Sequence, residues 1–231
     1  MPIFRLNDDL IFPPPAFAEP EGVLAIDGDL SRERLLLAYR QGIFPWYSEG
    51  EPILWWSPDP RMVLFPKDFH CSKRLARKIR QGHFEIRMDT AFPAVMEACA
   101  TVPRHDQDGT WITDAMKAAY TDLHHAGYGH SIEVWQDNAL VGGVYGLSLG
   151  GAFFGESMFS KVPDASKVAM AALVDRCKDW GFIMIDCQVA NPHLESLGAI
   201  DIPREDYLAL LDRSNQLQTR KGKWTHNADQ P

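Results

Sequence analysis

Cysteine is scarce in this chain, and its placement suggests no structural role. The four cysteines form no C-x-x-C pair and have no metal-ligand spacing to the eight histidines; they are Cys71, Cys99, Cys177 and Cys187. Disulfide frameworks and structural zinc sites both depend on such spacings. We therefore expect four free thiols, no metal centre and a reducing, cytoplasmic environment.

Long apolar runs are also missing. No stretch approaches the roughly 18 residues of a membrane-spanning helix. The first ten residues carry Arg5, Asp8 and Asp9 instead of the apolar region of a signal peptide. Positive charge is not in excess either, since 23 Lys and Arg stand against 31 Asp and Glu, for a net charge of −8. A broad basic surface for nucleic acid is therefore excluded, whereas a local basic patch is not.

Several sequence motifs with a defined chemistry do not occur. There is no G-x-S-x-G nucleophile elbow, no P-loop and no H-E-x-x-H zinc motif. The closely spaced Gly142, Gly143 and Gly146 fall inside a strand pattern, so they do not form a dinucleotide-binding fingerprint. These absences argue against α/β-hydrolases, P-loop nucleotide hydrolases and zinc proteases.

The segment Val141–Gln188 carries the clearest pattern in the chain. It predicts two strands, Ala139–Leu149 and Ala152–Ser160, joined as a hairpin by a Gly-Gly pair. A helix over Ser166–Trp180 and a continuous apolar strand over Phe182–Val189 follow. The order is therefore strand, hairpin, helix, strand.

Proline is concentrated at the start, where ten of the 16 prolines fall within the first 66 residues. Because proline interrupts regular elements, we expect residues 1–63 to form a small, loop-rich N-terminal domain with one helix, capped by Ser31 and ended by Gly42. Residues 64–231 form the main domain, and the polar tail from Gln216 is expected to fray, although Trp224 could pin part of it. The fold class is α+β, with further strands at 62–65, 84–88 and 131–135 and further helices at 90–100, 113–126 and 203–213.

Two acids and an amide stand among almost wholly apolar neighbours. Strand alternation predicts that Asp186 and Gln188 share one face, and that Glu156 shares a face with Met158. A carboxylate buried without a partner costs several kcal/mol or changes its pKa, which favours a polar site. The pair could hold a nucleophilic amine and relay its proton, and Glu156 could bind an ammonium or a ribose hydroxyl. Alternatively, the pair satisfies loop amides and Glu156 forms a surface salt bridge.

Tryptophans and a run of cations are further candidates for ligand contact. Loop tryptophans usually close the edge of a core, but they also stack on nucleobases; four adjoin Gly or Pro segments, namely Trp46, Trp55, Trp56 and Trp111. A segment without acids holds five cations: Lys73, Arg74, Arg77, Lys78 and Arg80. Such a run is usually a solvated helix face, but in a chain of net charge −8 it is the best candidate for phosphate contact.

The predicted strand–hairpin–helix–strand order, followed by Asn191-Pro-His-Leu-Glu-Ser-Leu-Gly198, resembles the core of GNAT-type acyltransferases. A series of motifs from about residue 20 to 210 resembles, in order, the bacterial leucyl/phenylalanyl-tRNA–protein transferase family. These motifs are Gly42-Ile-Phe-Pro-Trp46, Leu54-Trp-Trp-Ser-Pro-Asp-Pro-Arg61, Gly109-Thr-Trp-Ile-Thr113, His130-Ser-Ile-Glu-Val-Trp135, Leu140-Val-Gly-Gly143, Gly155-Glu-Ser-Met-Phe-Ser160, Ala165-Ser-Lys167 and Ile185-Asp-Cys-Gln188. They cover most of the chain, and their combination is highly specific.

The resemblance implies a GNAT-like acyltransferase domain that carries a small N-terminal domain. It implies an aminoacyltransferase that moves Leu or Phe, and less well Met, from aminoacyl-tRNA to the N-terminal Arg or Lys of an acceptor protein. The product is a destabilising N-terminus that the N-end rule degradation machinery reads. No cofactor is implied, because the tRNA ester is already activated. We expect a cytoplasmic monomer that does not bind a membrane.

The resemblance also implies roles for individual residues. Trp46 and Trp111 would grip the 3′-terminal adenosine, and Glu156 would anchor the polar end of the substrate, while Asp186 and Gln188 would orient and activate the incoming α-amine. The aminoacyl side chain would enter a pocket lined by Val144, Phe153, Met158, Met170, Leu173 and Ile185. Related enzymes often carry Met at position 144 and Phe at position 173, which implies a wider pocket in this chain.

Three other functions remain open on the sequence alone. An acyl-CoA-dependent acetyltransferase would need a Gly-rich pyrophosphate loop, which the segment 161–167 before the helix lacks. A peptidoglycan-type aminoacyl ligase usually has two GNAT-like units, which 231 residues do not easily hold. A non-catalytic tRNA-binding protein would need the tryptophans and the cations but not Asp186.

Overall fold

The computed structural model describes residues 3–102 and 111–225. Its strands are β1 (Phe4–Leu6), β2 (Val23–Asp27), β3 (Phe44–Pro45), β4 (Leu54–Trp56), β5 (Arg61–Leu64), β6 (Glu85–Met88), β7 (Gly129–Gln136), β8 (Ala139–Leu149), β9 (Ala152–Ser160), β10 (Met184–Gln188) and β11 (Ile200–Ile202). Its α-helices are α1 (Arg32–Arg40), α2 (Lys73–Arg80), α3 (Phe92–Thr101), α4 (Asp114–His125), α5 (Ala165–Asp179), α6 (Pro192–Glu195) and α7 (Arg204–Asn215).

The larger sheet contains the core segment and has seven strands, in the order β11-β5-β10-β9-β8-β7-β6. β8 and β9 form the expected antiparallel hairpin with the predicted bounds. The chain then passes through α5 and returns as β10, which runs parallel to β9 with Ile185 beside Phe153. The α+β fold class and the predicted strand–hairpin–helix–strand order are confirmed.

Glycines in β8 allow neighbouring elements to approach this strand closely. A Cβ at Gly142 would lie 2.5 Å from the Cβ of Ala165 at the start of α5. A Cβ at Gly146 would lie 2.0 Å from the carbonyl oxygen of Phe154 and within 2.8 Å of the Phe153 ring. Both positions are too tight for any side chain, so these glycines serve packing and not nucleotide binding.

The N-terminal region is more regular than the prolines predict. Its helix α1 forms as expected, with the Ser31 side chain accepting a hydrogen bond from the Arg34 backbone. However, β1, β2, β4 and β3 build a four-stranded sheet, so Trp55 and Trp56 lie in strand β4 and not in a loop. Trp55 in β4 is fully buried, packs edge-to-face on Phe12 at 4.9 Å and donates to the Asp27 carbonyl at 2.8 Å. Trp55 therefore closes the core of this sheet.

β5 links the N-terminal region to the larger sheet. It pairs with β10 on one side and with β11 on the other. A domain boundary near residue 63 would fall within this strand, and its placement stays a prediction.

Two apolar cores flank the larger sheet. One joins the N-terminal region with α1, α3, α4 and α7. The other lies beneath α5 and contains Val144, Phe153, Met170, Leu173 and Ile185. The described helices include none that is long and apolar enough to cross a membrane.

The C-terminal segment, residues 216–225, does not fray as expected. The Gly222 backbone donates to the Gly127 carbonyl at 3.1 Å, and Thr219 accepts from the Gly150 backbone at 2.9 Å. Trp224 is only 3% exposed. Tertiary hydrogen bonds and one buried indole therefore override the polar composition of this segment.

Candidate active site

A cavity of about 470 Å³ lies between β3, β9, β10, α5 and α6. One end is apolar and is formed by Val144, Met158, Met170, Leu173 and Ile185. Aromatic residues of another part of the wall are Phe44, Trp46 and Trp111, and polar groups come from Glu156, Gln188, Asn191 and His193. An apolar pocket with a few convergent polar groups is the usual form of a small-ligand site.

Glu156 is the carboxylate of this cavity. Its Oε1 accepts from the Tyr39 hydroxyl at 2.6 Å and from Gln188 Nε2 at 3.1 Å, and its Oε2 accepts from the Tyr120 hydroxyl at 3.1 Å. Burial raises the pKa of Glu156 to about 7, although the two tyrosine hydrogen bonds act in the opposite direction. The alternative of a surface salt bridge was wrong, because the residue is only 8% exposed and forms no ion pair with a described residue.

Tyr39 and Tyr120 come from α1 and α4 and meet at Glu156. Their hydroxyls are also in short mutual contact, and burial, followed by the charge of Glu156, raises both phenol pKa values well above the ordinary range. Sequence reasoning did not identify this pair, because a tyrosine on an apolar helix face gives no signal of the partner beneath it. The two phenols fix the carboxyl group from two separate elements.

Asp186 is completely buried, and both oxygens of its carboxylate accept hydrogen bonds. Arg61 reaches it at two points, with Nε 2.9 Å from Oδ1 and Nη2 2.7 Å from Oδ2. The Tyr207 hydroxyl donates to Oδ2 at 2.8 Å and the Gln188 backbone donates to Oδ1 at 2.9 Å. Burial would lower the pKa of Arg61, but the Asp186 carboxylate outweighs this effect and raises it. The guanidinium of Arg61 is therefore held in its charged form by a buried, two-point contact with Asp186.

Gln188 does not follow the alternation predicted for its strand. The register of β10 against β5 shifts between Asp186 and Gln188, and Gln188 has a left-handed backbone with φ of 66°. As a result, Gln188 lines the cavity beside Ile185 and Cys187, whereas Asp186 does not. The two-residue alternation expected between Asp186 and Gln188 is interrupted by this bulge.

Seven of the eight residues expected to bind the donor line the cavity: Trp46, Trp111, Val144, Met158, Met170, Leu173 and Ile185. The exception is Phe153, which is fully buried behind the wall, where its backbone pairs with Ile185. Trp46 and Trp111 keep part of their surface exposed. The Trp46 ring lies 5.5 Å from Trp56, which donates its Nε1 to the Trp46 carbonyl at 2.7 Å.

The expected phosphate-binding cations all lie on α2. Lys78 donates to the Pro163 carbonyl and pairs with Asp164 at 3.3 Å, and it is only partly exposed. Arg74 is exposed and lies 3.6 Å from the same carboxylate. The other three cations are exposed and form no salt bridge with described residues: Lys73, Arg77 and Arg80. Their charge faces solvent, whereas that of Lys78 is largely neutralised.

The cavity contains further polar groups to which sequence reasoning assigned no role. Asn191 caps α6 by accepting from the His193 backbone at 2.9 Å. Burial, followed by the charge of Lys167, lowers the pKa of His193, so its ring is neutral at neutral pH. Burial raises the pKa of the Cys187 thiol, so it is not a thiolate there. Among the described residues, none of the four cysteines takes part in a disulfide, in agreement with expectation.

Comparison with known proteins identifies the family. The family model for the leucyl/phenylalanyl-tRNA protein transferase matches residues 63–212, and that for its N-terminal domain matches residues 28–59. The chain belongs to this family. Membership makes the chain an aminoacyltransferase, as the resemblance implied.

Relatives in this family match nearly the whole chain. The leucyl/phenylalanyl-tRNA–protein transferase of Myxococcus xanthus is 53% identical over 230 residues, which cover 99% of this chain and 98% of the relative. That of Azotobacter vinelandii is 56% identical over 203 residues, covering 87% and 89%. Among solved structures, L-PGS from Bacillus licheniformis is 12% identical and has a TM-score of 0.39, covering 73% of this chain and 54% of that one.

Proposed function

We propose that this protein moves Leu or Phe, and less well Met, from aminoacyl-tRNA to the N-terminal Arg or Lys of acceptor proteins. The observation that carries the proposal is the cavity, in which an apolar pocket adjoins two indoles and the Glu156–Gln188 pair. The product would enter the N-end rule degradation pathway. We further propose that the enzyme acts as a cytoplasmic monomer without a cofactor, because the aminoacyl ester already carries the activation.

The adenosine and the amino acid of the donor would occupy different parts of the cavity. Trp46 and Trp111 would stack on the 3′-terminal adenosine, an interaction worth about 1–3 kcal/mol per base. The aminoacyl side chain would enter the apolar end between Val144 and Leu173. An unbranched or aromatic side chain suits this end, whereas a β-branched one fits less well.

The transfer step is aminolysis of an ester. The acceptor α-amine forms a C–N bond to the ester carbonyl, the bond from that carbon to the ribose 3′-oxygen breaks, and the amine proton passes to the leaving oxygen or to water. Gln188 donates its Nε2 to Glu156, which leaves its Oε1 to accept from the attacking amine. Asp186 would act by holding the Gln188 backbone and Arg61, and is therefore a positioning residue in this scheme.

The tRNA body would lie along α2. Lys73, Arg77 and Arg80 present free positive charge there, and Arg74 is exposed beside Asp164. Phosphate contacts of this kind release counterions and make binding salt-dependent. Lys78 would contribute least, because Asp164 already neutralises it.

A filter assay tests the proposal with labelled Phe-tRNA and an acceptor protein that begins with Arg. We expect label to enter this acceptor, and not an otherwise identical acceptor with an acetylated N-terminus or an N-terminal Glu. Acetyl-CoA is included as the donor for the rival acetyltransferase reaction. Binding of Phe-tRNA without transfer to any acceptor would support a non-catalytic tRNA-binding protein and contradict the proposal.

A further inference from the structure

The C-terminal segment packs behind the apolar wall of the cavity, on the side that faces away from the cavity interior. Trp224 is 3% exposed and lies in the same apolar cluster as Val144, Met170, Leu173 and Ile185. Its ring is 5.9 Å from that of Phe153. Phe153 does not reach the cavity but pairs with Ile185, which does. One residue, Phe153, thus lies between Trp224 and the wall residue Ile185.

Trp224 is fixed by a buried polar pair. Its ring stacks on His130 at 3.9 Å and 11°, and its backbone donates to Asp89 Oδ2 at 2.7 Å. The same oxygen lies 2.8 Å from His130 Nδ1, and Asp89 Oδ1 accepts from the Ser131 backbone at 2.8 Å. Side chain and backbone of Trp224 are therefore held by one Asp–His pair on the larger sheet.

Phe153 has little freedom of its own. On one side its ring packs against Gly146, where a Cβ would lie 2.7 Å from it. On another side it meets Trp224, which also packs edge-to-face on Trp180 at 4.7 Å and on Phe182 at 6.2 Å. Because a close-packed interior transmits displacement, removing the indole would let Phe153 and then Ile185 move away from the cavity.

We propose that Trp224, held by Asp89 and His130, is a positioning residue that sets the depth of the aminoacyl pocket and thereby the choice between donor side chains. This inference rests on the proposed function, since it concerns the same pocket. The C-terminal segment is then part of the specificity apparatus, although it contributes no atom to the cavity wall.

The test compares Trp224→Leu with Trp224→Phe in the full chain, with Phe-tRNA and Leu-tRNA as donors and one acceptor. Trp224→Leu loses the ring stack, so we expect the Phe:Leu ratio of kcat/KM to shift about three- to tenfold toward the larger Phe, mainly through KM. Trp224→Phe keeps a ring and should stay within about twofold of wild type. Leu217→Ala, in the same segment but on neither the cavity nor the cluster, is the matched control and should leave the ratio unchanged.

Melting temperatures separate positioning from simple stabilisation. A lower melting temperature of Trp224→Leu with an unchanged Phe:Leu ratio would overturn the inference. If Trp224→Leu does not fold, Phe153→Leu, which shortens the supported ring itself, must shift the ratio instead, and an unchanged ratio there would equally overturn it. Failure of the wild-type protein to transfer either amino acid would contradict the proposed function, which keeps the two outcomes distinct.

Discussion

Arg61 and Asp186 form a two-point ion pair inside the protein, with distances of 2.9 and 2.7 Å and side-chain exposures of 1% and 0%. The guanidinium also lies over the rings of Phe44 and Tyr207 at 4.7 and 4.6 Å. It donates to the Gly42 carbonyl at 3.2 Å. The pair therefore fastens the N-terminal region to β10, the strand that ends in Gln188.

Replacement of Asp186 by Asn tests this pair. The change keeps the shape but leaves a buried guanidinium without its countercharge, so we expect the free energy of unfolding to fall by about 3–5 kcal/mol. Because an NH2 group would replace the oxygen that accepts from Arg61 Nη2 and from the Tyr207 hydroxyl, the end of β10 that carries Gln188 is disturbed. We therefore expect kcat to fall by at least about 100-fold, with the donor KM nearly unchanged. Urea unfolding and initial rates measure the two effects. Full activity in a folded Asp186→Asn protein would show that Asp186 has no part in catalysis.

Arg61→Gln distinguishes positioning from proton abstraction by Asp186. If Asp186 acts by position, removal of its partner should lower kcat as Asp186→Asn does, and the two losses should be far from additive in the double variant. If Asp186 instead took the proton itself, it would not need Arg61, and Arg61→Gln should leave kcat largely intact. Retained kcat in Arg61→Gln beside a large loss in Asp186→Asn would therefore contradict the positioning role.

Glu156 should make stability depend on pH. Its pKa is raised to about 7 in the folded protein, against about 4.3 for an exposed Glu. Between these values the unfolded chain loses a proton that the folded protein retains, so stability is highest below the lower pKa and falls as pH rises toward 7. From pH 5 to 8, wild type should lose up to about 3 kcal/mol of unfolding free energy relative to Glu156→Gln. Urea titrations at each pH measure the unfolding free energy. If it changed with pH equally in wild type and in Glu156→Gln, the raised pKa of Glu156 would be contradicted.

Trp46 and Trp111 should matter for the donor. Replacement of either by Ala should weaken use of aminoacyl-tRNA by about 1–3 kcal/mol, because a base loses its stacking partner. The measurement is the donor KM in the transfer assay. Trp135→Ala is a suitable control, since that indole is also partly buried but lies outside the cavity. Wild-type donor kinetics in both folded variants would exclude adenosine stacking.

The cations of α2 should contribute unequally to tRNA binding. Arg77→Gln/Arg80→Gln should raise the donor KM and flatten the dependence of log kcat/KM on log salt by about 0.7–0.9 for each phosphate that is no longer neutralised. Lys78→Met should change the slope little, because Asp164 already pairs with it.

Arg40→Gln/Arg213→Gln, a double variant of exposed cations on other helices, controls for net charge. A minimal aminoacyl-adenosine should respond to none of these changes. An unchanged slope in Arg77→Gln/Arg80→Gln would place the tRNA elsewhere.

Local pattern predicted the backbone of the core segment well. The hairpin bounds of β8 and β9 agree residue for residue, and Ser31 caps α1 as expected. These features depend on neighbours within a few positions, which the sequence displays directly. The N-terminal strands were missed, because β3 has only two residues and includes a proline. Such a strand exists only through its pairing with β4.

Side-chain placement was less predictable, and Asp186 and Gln188 illustrate the reason. Alternation is a property of an undisturbed strand, whereas a bulge interrupts β10 at Gln188, and only Gln188 of the two residues lines the cavity. The resemblance assigned Phe153 to the pocket, but its ring packs near Trp224, which is far away along the chain. Lys78 was grouped with the free cations, because its partner Asp164 lies 86 positions further along.

The sequence by itself determined the α+β class, the core order of elements, the family and the set of polar residues buried among apolar neighbours. Local hydrogen bonding, capping and periodicity specify these features, and motif spacing specifies the family. Only the tertiary structure decided which polar residue faces the cavity and which one is instead paired with Arg61. It also decided which aromatic residue packs behind the cavity wall. Those outcomes depend on contacts between residues far apart in sequence, where packing and desolvation favour one arrangement of side chains.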